Sequence, residues 1–253
     1  MKDSTLNIIK NKKINIVIYI TGIVILLLLW EILSITKQNE LFPSILTILK
    51  SLKNILIDKK TYVMLFLTLL RIIISLAISY LISLFIITLY HIYKPSINLF
   101  KPFLSIMKSM PVIILTLLIW LIMDVNIGIY IITIFLTTPL IVEALTNGLD
   151  NINQDILEYI KLDTNNNLNV LFKLKMPMIK NYVMLSLLQT LGLSLKVMIM
   201  SEYIFNIKMS IGKELYFIKG SLEVNNLLAW TIIVIIMLSS IEYILKKIKS
   251  KIN

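Results

Sequence analysis

The chain has 253 residues, of which 58% are hydrophobic, and it carries a formal net charge of +11 with a mean hydropathy of +0.88. The apolar residues form blocks of roughly 20 residues, the length that a spanning segment needs. Such blocks must be helices, because lipid offers no hydrogen-bond partners and a helix pairs its own backbone groups. This pattern excludes a soluble domain and predicts an all-α, polytopic membrane protein, whose basic excess meets lipid headgroups and not nucleic acid. The chain has no cysteine and one histidine, which excludes disulfides, thiol catalysis and a Cys-ligated or His-cluster metal site.

Six spanning segments are predicted in chain order, at residues 14–35, 61–93, 103–123, 127–145, 182–205 and 227–245. Four lysines precede the first and no small-residue cleavage site follows it, which indicates a retained signal anchor. The second would be about 50 Å long as one helix, so part of it must project or tilt. Lys108 and Pro111 interrupt the third, and Pro111 should kink it. Between the first two spans, residues 36–60 have apolar residues at helical spacing, which predicts an amphipathic surface helix.

The basic residues predict the orientation of the chain. With the N-terminus inside, 15 basic residues fall in the inner segments and 8 in the outer ones, while Arg71 and Lys196 lie within spans. Cytoplasmic segments of membrane proteins carry an excess of lysine and arginine. We therefore expect both termini in the cytoplasm and residues 36–60 outside, although five lysines of that segment run against the rule. No second soluble domain and no internal repeat is evident, so residues 1–253 are expected to form one transmembrane domain.

The longest inner segment, residues 149–181, is polar and carries charges of both signs. Asn151 or Asn153 is placed to cap a helix through QDILEYIKL, and the run TNNN at residues 164–167 should end that helix. A second helix through LNVLFKLKM should end before Pro177, because the residue before a proline resists helical geometry.

The first of these helices has an apolar stripe. Ile152, Ile156 and Ile160 recur at helical spacing, with Leu157 beside them. Two short helices of this kind form either a docking element for a soluble partner or a loop that packs on its own bundle. The residues alone favour neither interpretation.

Charged residues within spans are informative, because each costs roughly 2.5–3.5 kcal/mol at mid-bilayer on insertion scales. Lys196 lies midway along the fifth span, and Glu202 is six residues further on, displaced along the helix and not closely paired with it. Lys196 either pairs across helices or lines a pathway that attracts an anion. We take Lys196, Glu202, Arg71 and Pro111 as pathway candidates, although packing accounts for a kink at Pro111 as readily as gating does.

The segment at 149–181 resembles the EAA loop of permease subunits in binding-protein-dependent ABC importers. That pattern reads E-A-A, three residues, G, nine residues, I, one residue, L-P, and counting from Glu158 meets the spacing at every step. The residues that match or are conservative are Glu158, Leu174, Met176 and Pro177. The residues that depart are Tyr159, Ile160 and Thr164. The glycine of the pattern is missing at Thr164, and the asparagines that follow it can supply the turn instead.

The resemblance covers nearly the whole chain and is to the nitrate, sulfonate and taurine type of permease. The segments that carry it are LLLLWEIL followed by LFPSILTILKSL, TLLRIIISLAISYLISLFI with Arg71, LFKPFLSIMKSMPVIILTLLIWLIMDVNIGIY, and MSEYIF followed by SIGKELYF. The low glycine content, six residues in the chain, departs from the family, in which small residues allow close helix packing.

The resemblance implies a type I importer permease with six transmembrane helices in a bacterial cytoplasmic membrane, acting as a homodimer with two ATPase subunits and an extracytoplasmic solute-binding protein. Similar permeases handle sulfonates, nitrate, taurine, bicarbonate and thiamine precursors. The residues expected to couple to the ATPase are Glu158, Tyr159, Leu162, Asp163, Thr164, Asn165, Leu174, Met176 and Pro177. The chain would have no catalytic residues and no cofactor of its own, since ATP and Mg²⁺ would bind the ATPase, and the sequence contains no P-loop pattern.

Two other classes stay open on the residues alone. A polytopic membrane enzyme would need clustered His, Asp or Glu at a membrane face, whereas this chain has one histidine and scattered acids. A secondary transporter normally has more spans and an inverted repeat, so six spans would suffice only by dimerisation. Co-purification of an ATPase separates the three classes.

Overall fold

The computed structural model describes residues 2–37, 41–163 and 168–252, with side chains described for 17–36, 41–160 and 168–247. Within these ranges the regular structure is helical, which confirms the all-α prediction. The helices are α1 (Lys2–Lys37), α2 (Ile45–Ile57), α3 (Lys59–Ile92), α4 (Ile97–Ser109), α5 (Val112–Ile122), α6 (Val125–Asp150), α7 (Gln154–Asp163), α8 (Met176–Met178), α9 (Lys180–Phe205), α10 (Ile211–Ser221) and α11 (Val224–Ile252). A 3₁₀ turn, Lys94–Ser96, precedes α4, and a π-helical segment, Val170–Lys175, precedes α8.

The predicted third span is a bent pair of helices and not one kinked helix. In the described chain α1, α3, α6, α9 and α11 are each long and apolar enough to cross a membrane, and α4 and α5 meet at 101°. The break falls at the predicted position, with Met110 extended (φ −72°, ψ 124°) and Pro111 directly before α5. The residue before a proline is pushed out of the helical region, so α4 ends and α5 starts in a new direction.

Two hydrophobic clusters show that the bent pair carries the chain back across the bundle. One cluster contains Ile72 and Ile129, from the first halves of α3 and α6, and the other contains Tyr90 and Leu149, from their final turns. Helices α3 and α6 therefore run in the same direction, and the chain must return between them through α4 and α5. Counting this pair as one broken crossing brings the described chain to the six spans that the sequence predicts.

Packing divides the chain into two compact units. One unit comprises residues up to 58 and 218–233, and the other comprises 59–217 and 234 onwards. In the first unit, the predicted amphipathic helix is α2. Its first turn is capped from two sides, because Ser44 Oγ accepts from Thr47 N at 3.3 Å and the Glu31 carboxylate accepts from Ile45 N at 3.0 Å. That residues 1–253 act as one transmembrane domain stays a prediction.

In the second unit, buried serine and threonine take the place that glycine and alanine usually have. Besides Thr61 and Thr68, the buried serine and threonine residues of α3, α6 and α9 are Ser75, Ser79, Ser83, Thr133, Thr137, Thr138, Ser186, Thr190, Ser194 and Ser201. Each donates to a carbonyl one turn earlier in its own helix. Each side chain is therefore short and satisfied, and helix backbones can approach closely without glycine. Ser79 and Thr137 hydroxyls also lie 2.7 Å apart between α3 and α6.

Two substitutions of Ser79 separate its packing role from its hydrogen bond. Ser79→Ala keeps the side chain small, so it should lower the free energy of unfolding by only about 0.6 kcal/mol, the average for a polar contact between membrane helices. Ser79→Leu inserts a branched group between α3 and α6 and should cost about 1–3 kcal/mol. Thermal unfolding in detergent measures both, with Leu81→Phe on the exposed face of α3 as the control. Equal losses for alanine and leucine would contradict the packing role.

Candidate functional site

The segment at residues 149–181 is held at both ends by the final turn of α3. At its start, the Asp150 carboxylate accepts a hydrogen bond from the Tyr90 hydroxyl at 2.5 Å and from Lys94 Nζ at 3.0 Å. At its far end, Lys175 Nζ lies 3.2 Å from His91 Nδ1. Because Tyr90 and His91 are neighbours in sequence, one helix end fixes both ends of the segment.

The entry and exit of the segment also pack directly on each other at Gly148. A Cβ atom added there would lie 3.0 Å from the Tyr182 ring and 3.1 Å from Cβ of Ile179. This approach is tighter than usual for side-chain carbons, so a larger residue at this position would require Tyr182 and Ile179 to shift. The loop residues that pack in the same apolar cluster are Ile152, Leu157, Leu171, Met176 and Ile179. Part of the segment is therefore packed on its own bundle.

The first predicted helix of the segment is α7, but its apolar stripe is not a single face. Asn153 provides the expected cap, since its Oδ1 accepts from Asp155 N at 3.0 Å. Ile152 precedes α7 and is 8% exposed, whereas Ile156 is 40% exposed. Helical spacing does not relate these two residues because Ile152 lies in the turn before the helix. The stripe prediction is therefore wrong for Ile152, whereas Ile156, Leu157 and Ile160 lie within α7 at helical spacing.

The second predicted helix does not end before Pro177. The π-helical segment Val170–Lys175 continues into α8, and Met176 N donates to Leu171 O, five residues back. Pro177 follows in the first turn of α8. Proline is tolerated there because the backbone N–H groups of a first turn have no partner within the helix. The wider π-helical turn thus allows the helical path to continue past Pro177.

The remainder of the segment turns apolar side chains away from the bundle. The exposed large apolar residues of this loop surface are Ile156, Tyr159, Leu168, Phe172, Leu174 and Met178. Tyr159 is the most exposed of them, at 71%. Exposed apolar side chains that gather on a loop beyond the ends of spanning helices are typical of a protein-docking surface. Packing on the bundle therefore accounts for part of the segment, and docking of a partner on the exposed part stays a prediction.

The predicted coupling residues fall partly within the described chain. Those that are exposed are Glu158, Tyr159, Leu174 and Pro177, while Met176 is half-buried. Leu162 and Asp163 belong to α7, but their side chains lie outside the described residues, as do Thr164 and Asn165 altogether. Their role at this surface stays a prediction.

At the opposite end of α3 and α9, Glu202 is fully buried and held by several donors. Arg71 Nη1 donates to Glu202 Oε1 at 2.7 Å, and Thr68 Oγ1 lies 3.0 Å from both carboxylate oxygens. The Gly212 amide donates to Oε2 at 3.3 Å, and a Cβ on Gly212 would lie 2.3 Å from Tyr203 N. Glycine is thus required where α10 begins, because any side chain would push α10 away from the carboxylate.

Arg71 and Glu202 are therefore partners inside one chain. Arg71 Nη2 also lies 3.4 Å from the Lys208 carbonyl, and that turn contains left-handed backbone at Asn206 and Met209 (φ 53° and 52°). The pair holds α3, α9 and this turn together, which is a structural role. The sequence shows Thr68 and Arg71 three residues apart on one span and Glu202 on another. Their contact depends on tertiary packing, which residue spacing does not reveal.

The other two pathway candidates lie elsewhere. Lys196 is exposed on α9, and it makes no hydrogen bond or ion pair with the part of the chain that is described. Pro111 forms the corner between α4 and α5. Beside that corner, Lys108 Nζ lies 2.6 Å from Glu143 Oε2, which ties the end of α4 to α6. Lys196 alone among the four candidates is both charged and unpartnered within the described residues.

These features define a polytopic membrane protein with a long loop at one end of its bundle, a class that includes transport permeases. A family model described as the binding-protein-dependent transport system inner membrane component matches residues 87–248, more than half of the chain, and the chain belongs to this family. It is a multi-pass permease component of an ABC importer and not an enzyme. ATP is hydrolysed by a separate subunit, and the family implies an ATPase and a solute-binding protein as partners. No curated protein matches the sequence.

The buried ion pair can be tested by removing one charge or both. Glu202→Met leaves the Arg71 guanidinium without its counter-charge and should lower the free energy of unfolding by about 3–5 kcal/mol. Arg71→Met combined with Glu202→Met removes both charges and should recover most of that loss. Thermal unfolding in detergent measures the difference, and the exposed Lys108–Glu143 pair, treated in the same way, should change by less than about 1 kcal/mol. A double variant as unstable as Glu202→Met would argue against this pairing.

Proposed function

We propose that two copies of this chain enclose the pathway of a small solute and that the loop at residues 149–181 couples them to ATP hydrolysis. The observation that supports the coupling role is the way the loop is held. Both of its ends are tied to Tyr90 and His91 while apolar side chains point outward. In a family whose ATPase is a separate subunit, a conformational change has to enter the permease through a surface of this kind.

In this proposal, the ATPase receives the loop in a groove, as amphipathic helices are received in other complexes. The residues that we assign to the contact are Glu158, Tyr159, Leu162, Asp163, Thr164, Asn165, Leu174, Met176 and Pro177. A displacement of α7 reaches α6 through Asp150 and α3 through the hydrogen bond from Tyr90. Docking at one end of the bundle is thereby linked to the helices that surround the pathway.

The homodimer completes the proposal. Six spans in one chain leave the pathway to be formed between two copies, and an extracytoplasmic binding protein delivers the solute. Both termini and the coupling loop lie in the cytoplasm, as the distribution of lysines indicates. The resemblance of the chain to nitrate, sulfonate and taurine permeases supports a sulfonate, nitrate, taurine or thiamine-precursor-like solute. ATP and Mg²⁺ bind to the ATPase, and this chain binds no cofactor.

Tyr159→Asp tests the docking surface. The substitution places a charge in an apolar contact and should weaken ATPase binding by at least about 2 kcal/mol, roughly thirtyfold in affinity. Co-purification of the ATPase with the permease measures this, while insertion and thermal stability of the permease should be unchanged. Tyr93→Asp is the matched control, because Tyr93 is 65% exposed just beyond α3 and outside the loop. If Tyr93→Asp releases the ATPase and Tyr159→Asp does not, the docking surface lies elsewhere.

The orientation is tested by labelling, for which a chain without cysteine is well suited. Lys53→Cys should react with a membrane-impermeant maleimide in intact cells, because residues 36–60 are expected outside. Lys249→Cys should react only after the membrane is opened, since the C-terminus is expected in the cytoplasm. Both reactions are followed by the shift in gel mobility. Labelling of both positions from the same side would overturn the proposed topology.

A further inference from the structure

Helix α9 carries two polar side chains near mid-membrane that have no partner in the described chain. Gln189 and Lys196 are both exposed, and neither makes a hydrogen bond or an ion pair with the described residues. They lie seven residues apart in α9, about 10 Å along the axis and on the same face. The two groups therefore share one environment, whatever covers that face.

Gly192 lies between them and leaves the face open. A Cβ added to Gly192 would find no atom within 4 Å. The opposite side of α9 is buried against the bundle, through residues such as Ser194 and Met198. We refer to Gln189, Gly192 and Lys196 as the polar stripe of α9.

Lipid is a poor environment for this stripe. Lys196 lies nine residues from the end of α9, about 13 Å along the axis, which is beyond the reach of its side chain toward the membrane surface. The neighbouring acids are engaged elsewhere, since Glu202 pairs with Arg71 and Glu143 pairs with Lys108. An uncompensated ammonium and a free amide on one face are expected to meet water or protein and not hydrocarbon.

We infer that the polar stripe lines the solute pathway and selects a small oxyanion, an inference that rests on the proposed homodimeric transport function. In a two-fold dimer, a pathway between the copies receives Lys196 from both, and two like charges in one cavity are balanced when an anion lies between them. The ammonium offers three donors to oxygen atoms, and the Gln189 amide both donates and accepts. Because Gly192 has no side chain, it leaves space beside α9 between the two polar groups for a solute of this kind.

Thiol-specific reagents of opposite charge test the inference without knowledge of the solute. The full chain carrying Gln189→Cys is placed in lipid nanodiscs, which expose both membrane faces. The rate of modification is measured with sulfonatoethyl methanethiosulfonate, an anion, and with trimethylammonioethyl methanethiosulfonate, a cation. Leu81→Cys is the control, because Leu81 is exposed on an apolar face of α3 and its thiol should stay unreactive in lipid.

The expected result is that Gln189→Cys reacts far faster than Leu81→Cys with both reagents. Adding Lys196→Met should lower the ratio of the anionic to the cationic rate by about fourfold or more. This is the effect of removing one positive charge that lies roughly 10 Å from the thiol in water and attracts one reagent while repelling the other. Lys196→Arg should restore the ratio, since it keeps the charge. Gly192→Cys provides a second reporter position with open space around it.

Two results would overturn the inference. Thiols at 189 and 192 that react no faster than the Leu81→Cys thiol would mean that the stripe faces lipid or a dry contact. Reactive thiols whose rate ratio ignores the charge at position 196 would mean a watery face that does not select anions. Neither result depends on the ATPase, so failure here is distinguishable from loss of ATPase binding in Tyr159→Asp.

Discussion

Hydroxyl groups that donate back into their own helices are the interaction on which this bundle depends. In hydrocarbon an unpaired polar group is costly, and a chain this poor in glycine needs another way to bring helix backbones together. Serine and threonine on α3, α6 and α9 satisfy both demands, since each is small and each has a carbonyl one turn away. Close packing of these three helices in turn positions the ends of α3, where both functional features of the second unit lie.

The two ends of α3 act in different ways. Toward one end, Arg71 donates to the buried Glu202 and to the turn that leads into α10, which gives this ion pair a structural role. At the other end, Tyr90 and His91 hold the loop at residues 149–181 by its two ends. A buried charge needs its partner, because removing one leaves the other uncompensated, whereas an exposed and unpaired charge such as Lys196 is expected to meet water or protein.

The sequence predicts the spanning helices well because bilayer thickness and backbone pairing leave few alternatives. It predicts α7, and Asn153 as its cap, because capping is local chemistry. Features that depend on tertiary packing are missed: the 101° angle of the corner at Pro111, where a kinked but continuous span was expected, and the partnership of Arg71 with Glu202. The predicted stripe on α7 is wrong at one residue, because Ile152 lies just before the helix begins. The prediction that the second helix ends before Pro177 is wrong because a π-helical turn, which has no clear sequence signal, continues into the helix that contains the proline.

The attachment of the loop to successive residues of one helix also makes the loop a separable module. Its entry and exit are pinned side by side, by Tyr90 with Asp150, by His91 with Lys175, and by the contact of Gly148 with Ile179. The bundle therefore fixes the distance between the two attachment points independently of the residues that run between them. Substitutions on the outward surface of the loop can therefore accumulate without altering the residues that attach the loop to the bundle.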